Sequence, residues 1–171
     1  HAPHHGVFST LVPGLTLYRI ESNAFIERTA GEIMTTFIVH GRKTTAIGGK
    51  MLEYGAGESL VCGIASPSEF HTLDASRDNP FLALSVSLDA SILMEYADAL
   101  YDRHQSGQLS EMPGGVFVIC PDEDLRDVFL RLLKILDRPK LIAVRAPLIL
   151  RELHALLLDS SCGAELRALA S

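Results

Sequence analysis

Five side chains in the first half of this chain carry the functional groups of a metal-dependent catalyst: His40, His71, Glu53, Glu58 and Glu69. Two imidazoles and a carboxylate meeting at one point form the ligand set of many iron, manganese and zinc centres, and such a set would serve an isomerase or an oxygenase. The spacing argues against a centre here. His40 and His71 lie far apart, neither has a second histidine beside it, and nothing in the pattern brings one carboxylate to both. Gly57-Glu58-Ser59-Leu60-Val61 is a near miss to a nucleophile elbow, lacking the second glycine and running into a strand where the elbow needs a helix. Gly55-Ala56-Gly57 begins a dinucleotide-binding glycine pattern but meets Leu60 where the third glycine belongs. Both read as turns. His104 and His154 fall on helical stretches as surface or packing residues. Cys62, Cys120 and Cys162 are odd in number and form no C-x-x-C pair, so they read as reduced thiols. The sequence predicts no catalytic residue, no metal and no cofactor.

A chain of 171 residues suits one domain with a substantial core. Its 15 basic against 21 acidic residues leave a net charge of −6, without the cationic surplus that neutralises phosphates, so this chain is not expected to grip DNA by itself. No apolar run is long enough to span a bilayer and no signal peptide opens the chain, which places the expected location in the cytoplasm with no membrane partner. The opening "HAPHHG" is polar and Pro-containing, and residues 1–10 are set aside as a flexible arm.

Periodicity predicts the elements that position these groups. Seven β-prone runs separated by turn residues occupy 15–20, 33–40, 43–47, 50–54, 59–64, 69–74 and 81–88, the pattern of a small antiparallel barrel. Gly48-Gly49 supplies the two positive-φ positions of a tight hairpin turn. After Leu88 the period lengthens to that of helices, expected over about 90–104, 123–137 and 140–159, with one more strand at 116–119. Asp89 and the Asp122 to Asp124 run mark the first two helix starts.

Alternation also sorts faces. Thr36, Ile38 and His40 share one side of their strand, and Ala83, Ser85 and Ser87 share the small, polar side of theirs, opposite Leu82, Leu84, Val86 and Leu88. If the helices cover the apolar sides, the others line a cavity for a small polar or amphipathic molecule; if not, they face water. The cavity reading assigns Thr36, Ile38, His40, His71, Leu73, Ala83 and Ser85 to ligand binding. On the 140–159 helix, Ile149, Leu150, Leu153, Leu156 and Leu157 make one apolar stripe, and Val144, Leu148, Ala155 and Leu158, interrupted by Arg151, make a second. A helix apolar on two sides is covered on two sides. The second cover is either the 123–137 helix or the same helix of a second copy in a homodimer.

The segments "VPGLTLYRIES", "FIVHGRKTTAIGGKMLEYGAGESLVC", "NPFLALSVSLDASIL" and "LRLLKILDRPKLIAVRAPLILRELHALLL" resemble the N-terminal domain of AraC-type transcriptional regulators over about Leu11 to Ala170. The most specific stretch is Arg145 to Leu158, where Pro147, Arg151 and Glu152 match. The resemblance implies an α+β fold: a cupin-like antiparallel β-barrel, or double-stranded β-helix, over about 15–88, then a C-terminal helical dimerisation segment over about 89–170. It implies one sensory domain over 11–171 that binds a small effector and controls a helix-turn-helix DNA-binding domain absent from this chain. The "LLLDSSCG" stretch and the His154-Ala155 pair depart from the family pattern. The rival reading is a small cupin-type enzyme built on His40, His71 and a carboxylate.

Overall fold

The computed structural model describes residues 1–24, 26–100 and 115–170. Among the described residues there are ten strands: β1 (Gly6–Ser9), β2 (Leu15–Ile20), β3 (Ile26–Thr29), β4 (Met34–His40), β5 (Arg42–Ile47), β6 (Lys50–Gly55), β7 (Ser59–Cys62), β8 (Ser68–Leu73), β9 (Phe81–Ser87) and β10 (Val116–Ile119). Four helices join them: α1 (Ala90–Ala99), α2 (Glu123–Ile135), α3 (Pro139–Asp159) and α4 (Gly163–Ala170). All seven runs expected from alternation are strands, and β10 spans the expected four residues. Alternation does not predict β1 or β3. β1 lies inside the residues set aside as an arm, yet it pairs with β2 from Gly6↔Arg19 to Ser9↔Thr16. The last turn expected of the first helix, with Tyr101 and His104, lies outside the described residues.

Among the described residues the strands form two antiparallel sheets, ordered β1-β2-β9-β4-β7-β10 and β3-β8-β5-β6, rather than a single closed ring. The β5–β6 turn shows how local sequence sets this register. Ile47 pairs with Lys50 across Gly48 and Gly49, whose φ values of 56° and 75° lie in the region that only glycine enters without strain.

The central strands of the larger sheet are buried on both sides, because each side is covered. On one side Leu17, Val61, Leu84, Val86 and Phe117 pack against Leu125, Val128, Phe129 and Leu132 of α2 and Ile149, Leu153 and Leu157 of α3. On the other, Ile20, Ile38, Leu60, Cys62, Phe81 and Ala83 meet Ile47 and Tyr54 of the smaller sheet. The helices thus cover the heavily apolar side of β9, and Ala83 faces the opposing sheet, as alternation requires.

Caps fix the helix starts. The Asp89 carboxylate accepts from the Ser91 N–H at 2.8 Å, and Asp122 accepts from the Leu125 N–H at 2.9 Å. His154 ties α3 to this junction: its Nδ1–H donates to the Leu150 carbonyl at 2.6 Å, while Nε2 accepts the Asp89 N–H at 2.8 Å. Both nitrogens are thereby committed with the ring neutral, and burial holds its pKa below the ordinary histidine value.

The second apolar strip of α3 is split by its surroundings. Val144 and Leu148 are 68% and 64% exposed. Leu158, expected beside them, is fully buried in the helix–sheet core, where α1 and α4 both pack against α3. Ala155 is half-buried, and Arg151 turns to its own α1, donating to Glu95 at 2.5 Å and to the Tyr96 hydroxyl at 2.9 Å.

Candidate functional site

The inner faces of the two sheets gather several polar groups away from water. From the larger sheet come Thr36 and Ser85, both buried, the Thr36 hydroxyl donating to Ser85 Oγ at 3.1 Å. Ile38 and Ala83 stand opposite one another in register beside them. These four residues hold the inward positions that alternation predicts.

The other three do not. A β-bulge between Ile38 and His40 inserts Val39, so His40 pairs with Leu82 and falls on the other face of β4. His40 is exposed, its Nδ1–H donating to the Pro80 carbonyl at 2.6 Å. His71 and Leu73 alternate with the buried Phe70 and Thr72 of β8 and therefore point away from the larger sheet; His71 Nε2 lies 3.0 Å from Glu69 Oε1 at the surface. His40, His71 and Leu73 are thus corrected from inward to outward positions. Glu53 is ion-paired with Arg42, and Glu58 accepts the Gly55 N–H at 2.8 Å. Among the described residues no three His, Cys, Asp or Glu side chains converge.

The smaller sheet contributes the inward groups that sequence reasoning missed. Lys43, Thr45 and Ile47 of β5 point inward, as do Tyr54 of β6, Phe70 and Thr72 of β8 and Glu27 of β3. Lys43 is only 5% exposed. Its ammonium lies 4.1 Å from the Phe70 ring centroid, 5.5 Å from Tyr54 and 5.8 Å from Phe81, a cation held by aromatic faces. A signal is present: "RKTTAI" alternates so that Lys43 shares a face with Ile47. A lysine on a strand ordinarily marks the solvent side, so the clue runs against the usual reading.

The polar groups here differ in how well they are satisfied. Thr45 and Tyr54 share a hydrogen bond at 2.8 Å, and the Thr72 hydroxyl donates to the Ser22 carbonyl at 3.0 Å. Glu27 Oε2 is buried without a hydrogen-bond partner, and no ion pair among the described residues includes Lys43. Burial pushes the Lys43 ammonium down to about 8, raises Glu27 above the usual carboxylate range and lifts the Cys62 thiol to about 11.

The lysine has a measurable signature. Its ordinary value is about 10.4, so between about pH 8 and 10 the unfolded chain still holds a proton that the folded chain has released. The lysine's own contribution to stability should therefore rise with pH across that window, against the opposite trend of the buried Cys62 thiol above about pH 9. Lys43→Met should be more stable than the parent near neutral pH, and the difference should shrink as the pH rises. Urea midpoints for both proteins at several pH values measure this, and a pH-independent difference would refute it.

The fold is thus one of two facing antiparallel sheets backed by helices, with a buried lysine on the inner side of the smaller sheet. The family model described as AraC-type transcriptional regulator N-terminus matches residues 11–165. The chain belongs to that family. Comparison with curated proteins found no match. Among solved structures, the AraC-like transcriptional activator CuxR is similar at a TM-score of 0.58 and 14% identity, covering 90% of this chain and 53% of its own. Apo ToxT from Vibrio cholerae is similar at a TM-score of 0.60 and 7% identity, covering 85% and 54%. The chain thus spans about half the length of these two proteins, and likeness at such identity speaks for the fold. No described helix is long and apolar enough to cross a membrane.

Proposed function

We propose that this chain is the effector-binding and dimerisation part of a transcriptional regulator, working in the cytoplasm. In this reading the two sheets are the halves of a cupin-like barrel, a small molecule binds between them, and the helices join two copies. DNA is read by a separate helix-turn-helix domain. Family membership supports the class. The observation that carries effector binding is the inward Lys43, buried on the same side of the sheet as an unsatisfied Glu27 where a plain core would hold apolar residues. An effector that binds one arrangement of the sheets and helices better than another shifts the population by at most its differential affinity, and so changes how two DNA readers are presented.

For the homodimer, the contact proposed is the outward side of α3 around Val144 and Leu148. These lie beside an apolar groove of about 640 Å³ whose lining includes Leu11, Ala143, Ala146 and Pro147. Leu158 is excluded from that contact by its burial, while Arg151 lines the same groove with its guanidinium bonded to Glu95 and Tyr96.

Native mass spectrometry of the gently purified chain tests both halves at once. The expected spectrum shows twice the 18.6 kDa chain mass, with an additional small-molecule mass that disappears on denaturation. A bare monomer that also shows no thermal shift across a broad metabolite panel would refute the reading.

A further inference from the structure

The junction of α2 and α3 concentrates positive charge on a chain whose net charge is −6. Arg131 and Lys134 stand one turn apart on α2, Arg138 holds the N-cap position of α3, and Arg145 follows within that helix. These four side chains line one cleft of about 230 Å³, with the buried Ile135 and Ile149 as its floor and no carboxylate in its lining. Arg131 is already balanced, by Asp127 at 2.6 Å on its own helix and by Glu152 of α3 at 2.8 Å. Lys134, Arg138 and Arg145 are exposed, and no ion pair among the described residues includes them. Asp137, next to Arg138 in sequence, bonds to His1 and does not line the cleft. Helix electrostatics accounts for Lys134, in the last turn of α2, where the negative end attracts a cation, but disfavours Arg138 at the positive end of α3. Neighbouring like charges repel, so three unbalanced cations around one concavity carry a cost that a bound anion would remove.

The geometry points to a binding site for a small phosphomonoester in this cleft, its phosphate held by Lys134, Arg138 and Arg145. The site lies between helices rather than between the sheets, so it stands or falls apart from the effector reading above. The planar guanidinium forks of Arg138 and Arg145 can each donate two N–H bonds to one phosphate, and three cations match a dianion better than the single charge of a carboxylate. The volume is below the range of about 300–1,000 Å³ for drug-sized molecules, which limits the occupant to a small one. A nucleic acid fits less well, because Asp127, Asp137 and Glu152 lie around the same junction and a continuous phosphate backbone would run over them.

Calorimetry and thermal shift on the whole chain test this at low salt and about pH 8, where a phosphomonoester carries two charges. The probes are phenyl phosphate beside the singly charged benzenesulfonate, and glycerol 3-phosphate beside glycerol. At least one phosphomonoester is expected to bind at least about tenfold tighter than its counterpart. Arg138→Gln and Arg145→Gln should each weaken that binding by about tenfold or more. Arg126→Gln, which removes the same charge from an exposed position of α2 outside the cleft, should leave it unchanged. All three arginines are exposed, and circular dichroism checks that the variants fold. Equal weakening by Arg126→Gln, or no weakening by either cleft arginine, would reduce the effect to general charge and overturn the site. The absence of heat and of thermal shift with both phosphomonoesters up to about 10 mM would overturn it too. A short DNA duplex that displaces the phosphomonoester and depends on the same two arginines would reassign the cleft to nucleic acid and overturn the small-molecule inference.

Discussion

Replacing Phe129 with alanine lowers the stability of the fold by about 3–5 kcal/mol, the range for deleting a buried aromatic side chain. Phe129 is 1% exposed and stacks on Phe37, with centroids 5.0 Å apart and ring planes 14° from parallel. Phe37 lies on the helix side of β4, so this pair joins the larger sheet to α2. Leu125, Val128 and Leu132 surround it in the same cluster, and none can move into the vacated volume without leaving its own contacts. For a chain of this size the loss corresponds to a fall in melting temperature on the order of 10 °C. Urea unfolding followed by circular dichroism measures it directly. A loss below about 1 kcal/mol would show that α2 is not anchored at this point.

Leu148→Glu should act in the opposite manner, leaving the subunit intact and separating the pair. The leucine is 64% exposed in the single chain, so the substitution removes little packing and should change subunit stability by no more than about 0.5 kcal/mol. Across a two-fold interface, each copy would place a carboxylate in the apolar contact of the other, near its own symmetry mate. The population should become almost wholly monomeric, with the dissociation constant raised at least about 100-fold, as expected for roughly 3 kcal/mol of uncompensated charge burial. Sedimentation equilibrium reads the mass, and circular dichroism checks the fold. A variant that sediments like the parent would place the interface elsewhere. Leu158→Glu is no substitute for this test: Leu158 is fully buried, and a carboxylate there should unfold the subunit.

The contrast between those two leucines shows how far local pattern reaches. Both sit on a helix whose length, starting proline and apolar spacing are legible in "PKLIAVRAPLILRELHALLLD". Periodicity places Leu148 and Leu158 on the same outward strip, but only the end of that strip is buried, where α1 and α4 pack against α3. A helical wheel carries no information about a segment that returns from further along the chain.

The same boundary runs through the candidate site. Alternation in "TTFIVH" and "FLALSVSL" places Thr36, Ile38, Ala83 and Ser85 together because strand period is a property of the backbone alone. It misplaces His40 because a bulge is set by pairing with β9, and one inserted residue moves every later residue of the strand to the opposite face. It misplaces His71 and Leu73 because alternation divides a strand into two sides without saying which side is covered.

By itself, then, the sequence determined seven sheet strands and β10, the tight Gly48-Gly49 turn and the helix starts at Asp89 and Asp122, all consequences of near-neighbour geometry and spacing, and its resemblance to known sequences indicated the family. Only the tertiary structure decided which sides face inward, that Leu158 is buried, and that Lys43 stands between the sheets among aromatic rings. Those outcomes depend on contacts between residues far apart in the chain, and such contacts exist only once the sheets and helices have packed.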